Sequence, residues 1–246
     1  MLADPADQLR LLDLAATDAL VLQNTHTRAH LPELATLQEL SAERRSVDEE
    51  LVAAEVRLSD VQADLQRIDN DLTPARERLA RNQQRMDSGA VSDPKALRGM
   101  VEETDHLKGR ISKLEDDELE VMQIIEDLTG ERDAIVAKRD QVNERARAVI
   151  AKRNAALAEL DEAAAQLATE RAQQVAVLPP ALVADYDKLR AKLASGAAAL
   201  ERGRCSGCRL EINEADLRGY RKAAPNEVLH CEECGRILVR TKESFA

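Results

Sequence analysis

Leu37, Leu51, Leu58, Leu65, Leu72, Leu79 and Met86 share one position of a seven-residue repeat. Leu40, Val47, Ala54, Val61, Ile68 and Ala75 fill its companion position. Alternating spacings of three and four sustained this long commit the segment to a supercoiled helical seam and exclude an isolated globular helix. Arg44 and Asn82 are its polar interruptions. A second run follows through Met100, Leu107, Leu114, Val121, Leu128, Ile135, Val142, Val149, Ala156 and Ala163. Its companions are Leu97, Ile111, Ile125, Ala146, Leu160 and Leu167, with Glu118, Arg132, Arg139 and Arg153 breaking the seam.

Between the runs lies RMDSGAVSDPKAL. Ser88-Gly89 ends one helix; Ser92 or Asp93 can cap the next, with Pro94 in its first turn. So short a connection makes the two helices antiparallel partners. Folding about residue 90 sets Asp60 opposite Glu120 and leaves the excess of the later helix, from about Ala146, in need of a mate. Pro5 to Ala29 supplies it through Leu9, Leu12, Ala16 and Ala19. Pro32 separates that segment from the second helix, and Pro74 predicts a local kink inside it.

Composition agrees. The chain has 246 residues, of which 33% are charged and 1% aromatic, with no Trp. Three aromatics cannot seed a compact core of this size, so an ordinary α/β enzyme fold is excluded. Net charge is −11. The segment from Gly196 carries nine Lys/Arg against eight Asp/Glu, so the remainder carries −12. That acidity argues against indiscriminate binding to phosphate polymers. No apolar run is long enough for a membrane span, and the acidic start lacks the basic region of a signal peptide, so a cytoplasmic location is expected.

Pro179-Pro180 ends the coil, and a short amphipathic helix from Ala181 to Ala194 follows. The terminal module then reads CSGC, twenty-two intervening residues, and CEECG. Cys205 with Cys208, and Cys231 with Cys234, each let one tight turn direct two sulfurs at a single cation, and two such turns complete a tetrahedral shell. Gly207 and Gly235 are expected to free these turns. Four thiolates leave no open coordination position, so the reading is one structural Zn2+ per chain. The other readings are a redox pair, an iron–sulfur cluster or unligated thiols; neither Cys pair lies in a βαβ pattern that would favour redox use. Leu210 to Ile212, Val228 to His230 and Ile237 to Val239 are the β-prone stretches.

The expected architecture is mainly α: a long, kinked, antiparallel coiled-coil helical hairpin with a small C-terminal β zinc ribbon. Its parts are a hairpin over 1–178 with its tip near 87–93 and kinks near 32 and 74, a linker helix over 179–195, and the ribbon over 196–246. His230 reads as a strand residue beside a knuckle, and His26 and His30 as surface histidines. The positive stretch Lys138 to Arg153 reads as charge complementarity between coil partners and with acidic neighbours. No nucleophile triad, phosphate-binding loop or dinucleotide fingerprint is present.

These features resemble a bacterial family of coiled-coil hairpin proteins with a C-terminal four-cysteine zinc ribbon. The likeness is carried by CEECGRIL at Cys231 to Leu238, SGAVSDPKAL leading into an acidic helix, and the Leu-Pro-Glu break at Leu31 to Glu33. It implies zinc ligation by Cys205, Cys208, Cys231 and Cys234. It further implies either nucleic-acid binding or an adaptor or chaperone role toward flagellar, secretion or sigma-factor partners. Where family members place an aromatic after the final Arg-Ile-Leu, this chain has Val239.

The expectation is therefore a non-enzymatic adaptor that binds a protein partner through the tip (Met86, Val91) or the ribbon (Arg209, Arg218, Arg221, Arg236). The alternative is a nucleic-acid-binding regulator. Neither a membrane nor a small-molecule substrate is expected.

Overall fold

The computed structural model describes residues 1–246. Its elements are α1 (Pro5–Ala29), α2 (Pro32–Asp87), α3 (Pro94–Ala176), α4 (Pro180–Leu193), β1 (Ala197–Glu201), β2 (Arg204–Cys205), α5 (Glu214–Lys222), β3 (Leu229–His230) and β4 (Ile237–Arg240). The first four helices all begin on a proline, whose fixed φ and missing N–H suit a first helical position. The chain forms two compact units, Thr36–Val149 and Met1–Ala35 with Ile150–Ala246.

In the unit Thr36–Val149, α2 and α3 pair antiparallel. Leu40, Val47, Leu51, Ala54, Leu58, Leu72 and Ala75 are buried along α2, as the heptad predicts. Ion pairs cross the seam from Arg145 to Glu43, Lys138 to Glu50, Arg57 to Glu131 and Arg78 to Glu103. Buried Asn82 donates to Glu103 at 3.1 Å, which satisfies the polar interruption. The helix continues through Pro74, flanked by a core of Leu72, Ala75 and Ile111. At the turn, Gly89 takes φ +67°, and Asp93 caps α3 by accepting from the Ala96 amide at 3.1 Å.

Two details differ from the sequence reading. Leu97, expected in the seam, is 39% exposed, and Thr104, one heptad later, is buried there instead. The register is also offset. Arg57 faces Glu131, so Asp60 lies opposite the turn near Leu128 and not Glu120. Along the wall the pairing is centred beyond residue 90: Arg57 with Glu131, Glu50 with Lys138 and Glu43 with Arg145 are each centred on residue 94.

In the other unit, α1 lies antiparallel to the end of α3, with Asn24 donating to the Leu160 carbonyl at 3.0 Å and Arg28 paired with Asp161. Its buried face is Gln8, Leu11, Leu14, Thr17 and Asp18. The expected stripe of Leu9, Leu12, Ala16 and Ala19 is wrong in phase: Leu9, Ala16 and Ala19 are exposed and Leu12 is half-buried. The true stripe is half polar and is tolerated because each polar group has a partner. Gln8 donates to the Ala3 carbonyl and Gln174 donates to Thr17, both at 2.9 Å.

Asp18, fully buried, accepts from Arg171 at 2.9 Å and from the Tyr186 hydroxyl at 2.8 Å, and pairs with Arg190 at 2.9 Å. Three helices therefore meet on one carboxylate. Burial, reinforced by Asp18, pushes the Tyr186 phenol well above its ordinary value.

The sheet order is β2-β1-β4-β3, with β1 parallel to β4 and the other pairs antiparallel. Period-two alternation gives it two buried faces. Ala197, Ile237 and Val239 join Leu11, Leu14, Leu182 and Tyr186 in a core against α1 and α4. Ala198, Leu200 and Leu238 face the cysteine knuckles and the Leu217 and Tyr220 of α5. Gly196 is required by close approach: a Cβ there would lie 2.3 Å from the Tyr186 carbonyl oxygen.

Candidate metal centre

Both knuckles hang from the sheet face opposite α1. Cys205 ends β2, and Cys231 directly follows β3. All four cysteine sulfurs lie within 4.8 Å of one another, with Cys205–Cys234 and Cys208–Cys231 each 3.9 Å apart. A tetrahedral centre with Zn–S of about 2.3 Å sets its sulfurs about 3.8 Å apart, so the cluster fits one zinc.

The backbone reinforces the fit. Amides of Gly207 and Cys208 donate to Cys205, those of Glu233 and Cys234 to Cys231, and that of Arg236 to Cys234. These dipoles stabilise thiolates, as a metal-binding set requires. Against them, burial raises the Cys205 thiol and pushes Cys231 up to about 12. At Cys234 burial also raises the thiol, but bonds from the Arg236 amide and side chain and from the Cys231 and Cys208 thiols together outweigh it and hold it down to about 7. A bound zinc must therefore displace protons, and it supplies a cross-link between the two knuckles with no position left for a reacting ligand.

The two knuckle glycines have different roles. Gly235 takes φ +72°, as its turn requires. Gly207 does not; the corresponding left-handed residue in the first knuckle is Arg209, at φ +63°. Gly207 is needed for space, since a Cβ would sit 2.8 Å from Arg236 Cδ and 3.0 Å from Ala198 Cβ.

The remaining candidate residues separate into structural and free groups. Arg236 is half-buried and donates to the carbonyls of Ser195 at 3.2 Å and Leu193 at 2.8 Å, closing the end of α4. Arg240 donates to four carbonyls, those of Ala223, Ala224, Pro225 and Glu227. Arg209, Arg218 and Arg221 are exposed; Arg221 lies over the Phe245 ring at 5.2 Å. His230 contacts Asp185 of α4 at 3.0 Å and stands outside the sulfur cluster. His26 and His30 stack on each other at 4.1 Å. Met86 and Val91 are half-buried, so the tip exposes less apolar surface than the sequence suggested. In the stretch Lys138 to Arg153, Lys138 and Arg145 pair with Glu50 and Glu43 across the coil, while Arg139 and Arg147 pair with their acidic neighbours Asp140 and Glu144 on α3 itself.

Sequence reasoning missed two elements that build this centre. β1 is largely alanine and carried no strand signal. Helix α5 did carry one: Asn213 caps it, accepting from the Asp216 amide at 2.9 Å, with Glu214 and Asp216 in the first turn.

The fold and the site together define a C4-type zinc ribbon joined to a helical coiled-coil hairpin. The chain belongs to the CT398-like coiled-coil hairpin family, whose model matches residues 14–194; the C4-type zinc ribbon domain matches residues 204–238. The uncharacterized protein Rv2229c of Mycobacterium tuberculosis is 34% identical over 244 residues, covering 98% of both chains. A solved structure from Mycobacterium smegmatis has a TM-score of 0.88 at 33% identity, covering 98% of this chain and 100% of that one. CT398 of Chlamydia trachomatis shares the fold, with a TM-score of 0.67 at 14% identity over 96% of this chain and 98% of that one. No catalytic family is among these matches, and no helix is long and apolar enough to cross a membrane.

Proposed function

We propose that this chain is a non-enzymatic adaptor or scaffold that holds a protein partner through the ribbon, the hairpin tip, or both. In this reading Cys205, Cys208, Cys231 and Cys234 bind one zinc that fixes the ribbon (196–246), while the hairpin (1–178) and the linker helix (179–195) present it. The supporting observation is the distribution of unpaired cations. Most coil arginines are engaged in ion pairs along or across the helices. In the ribbon Arg204 pairs with Glu211 and Arg236 and Arg240 are held by backbone carbonyls, while Arg209, Arg218 and Arg221 make no ion pair; at the tip Arg85, Lys95 and Arg98 make none. Charges already satisfied within the coil have little to offer a partner, whereas free ones add to complementarity and encounter rate.

A second reading, a nucleic-acid-binding ribbon, is supported by Arg221 stacked on the partly exposed Phe245. Cross-linking in native extract, followed by purification with and without nuclease and mass spectrometry, separates the two. The adaptor reading expects protein partners that survive nuclease. Partners lost with nuclease support the second reading and overturn the first.

A further inference from the structure

Three of the ribbon's cations without an ion pair are gathered in one place. Arg218, Arg221 and Lys222 are spaced three and four apart on α5, so they share one helical face, and all are exposed. The turn between β1 and β2 packs on the same helix: a Cβ added at Gly203 would lie 3.2 Å from Leu217 Cδ1. The adjoining Arg202 and Gly203 amides donate to the Glu243 and Ser244 carbonyls, at 2.9 and 3.1 Å. Those carbonyls precede Phe245, whose ring lies under Arg221 and is 36% exposed. Three strands of chain thus converge on one spot, which carries free guanidinium groups and an accessible aromatic edge.

Two further features indicate how costly this arrangement is and how small it is. Arg202 takes φ +48° at a hairpin position where Asn or Gly is the ordinary choice. The patch is also bounded by acids: Glu214 and Asp216 open α5, and Glu243 lies in the terminal turn.

We infer that this face of α5, with Arg202 and Phe245, is a docking site for a short acidic peptide segment of a partner protein, carrying a few carboxylates and one apolar side chain. Guanidinium groups pair with carboxylates in bidentate fashion, and an exposed phenylalanine offers the apolar contact. The acidic border selects ligand length. A nucleic-acid strand carries a phosphate at every nucleotide and runs off the patch onto Glu214 and Glu243, in a chain already at −11. A peptide can place carboxylates only where the cations are. The turn carrying Arg202 leads into Cys205 and α5 lies between the two knuckles, so the site exists only in the folded ribbon.

The inference rests on the adaptor reading and is tested separately from it. A labelled peptide bearing Glu-Glu-Leu-Glu between serines is titrated against the zinc-loaded full chain by fluorescence anisotropy, beside an oligouridylate of matched charge. The expected result is saturable peptide binding, tighter than the oligouridylate. Arg218→Glu with Arg221→Glu should weaken it at least tenfold and Phe245→Ala several-fold, with zinc content and helicity unchanged. Both cations are exposed, and Arg218→Gln with Arg221→Gln, which should weaken binding less than reversal, guards against a folding failure. Absent peptide binding, tighter oligouridylate binding, or binding unchanged by charge reversal each overturns the inference. Nuclease-resistant protein partners recovered despite such a result leave the adaptor reading standing, and their absence removes both.

Discussion

Asp18 is the most consequential polar residue outside the cysteine cluster, and its replacement has a calculable effect. Asp18→Asn keeps the shape but removes the charge that Arg171, Arg190 and the Tyr186 hydroxyl share. It also turns an amide N–H₂ toward donors that need an acceptor. Breaking a buried ion pair costs about 3–5 kcal/mol. The lower end applies here, because the Arg171 and Arg190 side chains retain 23% and 31% exposure and can recover some hydration. A loss of about 3 kcal/mol in a unit of this size lowers its melting transition by on the order of 10 °C. The assay is thermal unfolding by circular dichroism, with hydrogen exchange to localise the loss. Exchange should quicken in α1 and α4, which Asp18 and Tyr186 tie together, and not around Leu72 and Ile111. A variant within 1 kcal/mol of the parent, or one loosened uniformly, refutes the claim that this carboxylate is the junction's main polar tie.

Cys231→Ser should abolish the single equivalent of zinc measured by elemental analysis. Because α1 and α4 share a core with β1 and β4, it should also cost helical signal from those two helices, while retained zinc would contradict the site. With Cys205 raised and Cys231 at about 12, these two thiols hold protons at neutral pH when metal-free. Protons therefore compete with metal: zinc transfer to a chromogenic chelator should become easier as pH falls from neutral, and a pH-independent transfer would contradict this. Gly196→Ala should destabilise the ribbon unit strongly, since the new Cβ meets the Tyr186 backbone at 2.3 Å, and an unchanged melting curve would refute that packing. Cysteines at Arg57 and Glu131 should cross-link within one chain; exclusively intermolecular products would mean that the helical pair is a dimer.

The parts that could be read from the sequence are those where burial follows a simple period. The seams of α2 and α3 repeat every seven residues and are aliphatic at most positions despite their polar breaks, so periodicity alone locates Leu51, Leu58 and Val142 inside. The knuckles were legible because two-residue spacing is a chemical constraint on thiolate geometry. In α1 the same method failed, because the apolar stripe through Leu9 and Ala16 competes with a buried one containing Gln8, Thr17 and Asp18. Only the tertiary partners Arg171, Arg190 and Tyr186 make that second stripe favourable. β1 was hidden for a related reason. Ala197, Ala198 and Ala199 have little strand propensity, and their conformation is imposed by pairing with β4 and by the closeness of α1. Arg236 looked like a surface charge because nothing local reveals that it closes the end of α4.

The central claim is that the ribbon and the tip, and not the coil wall, meet a partner. Photo-cross-linking residues placed singly at Arg218, Val91, Val52 and Leu119 test it in living cells. Val52 and Leu119 are 59% and 66% exposed apolar positions on the wall, so access does not bias the comparison. The account predicts discrete protein adducts from Arg218, from Val91, or from both, and none from Val52 and Leu119. Adducts arising from the wall positions alone would contradict it.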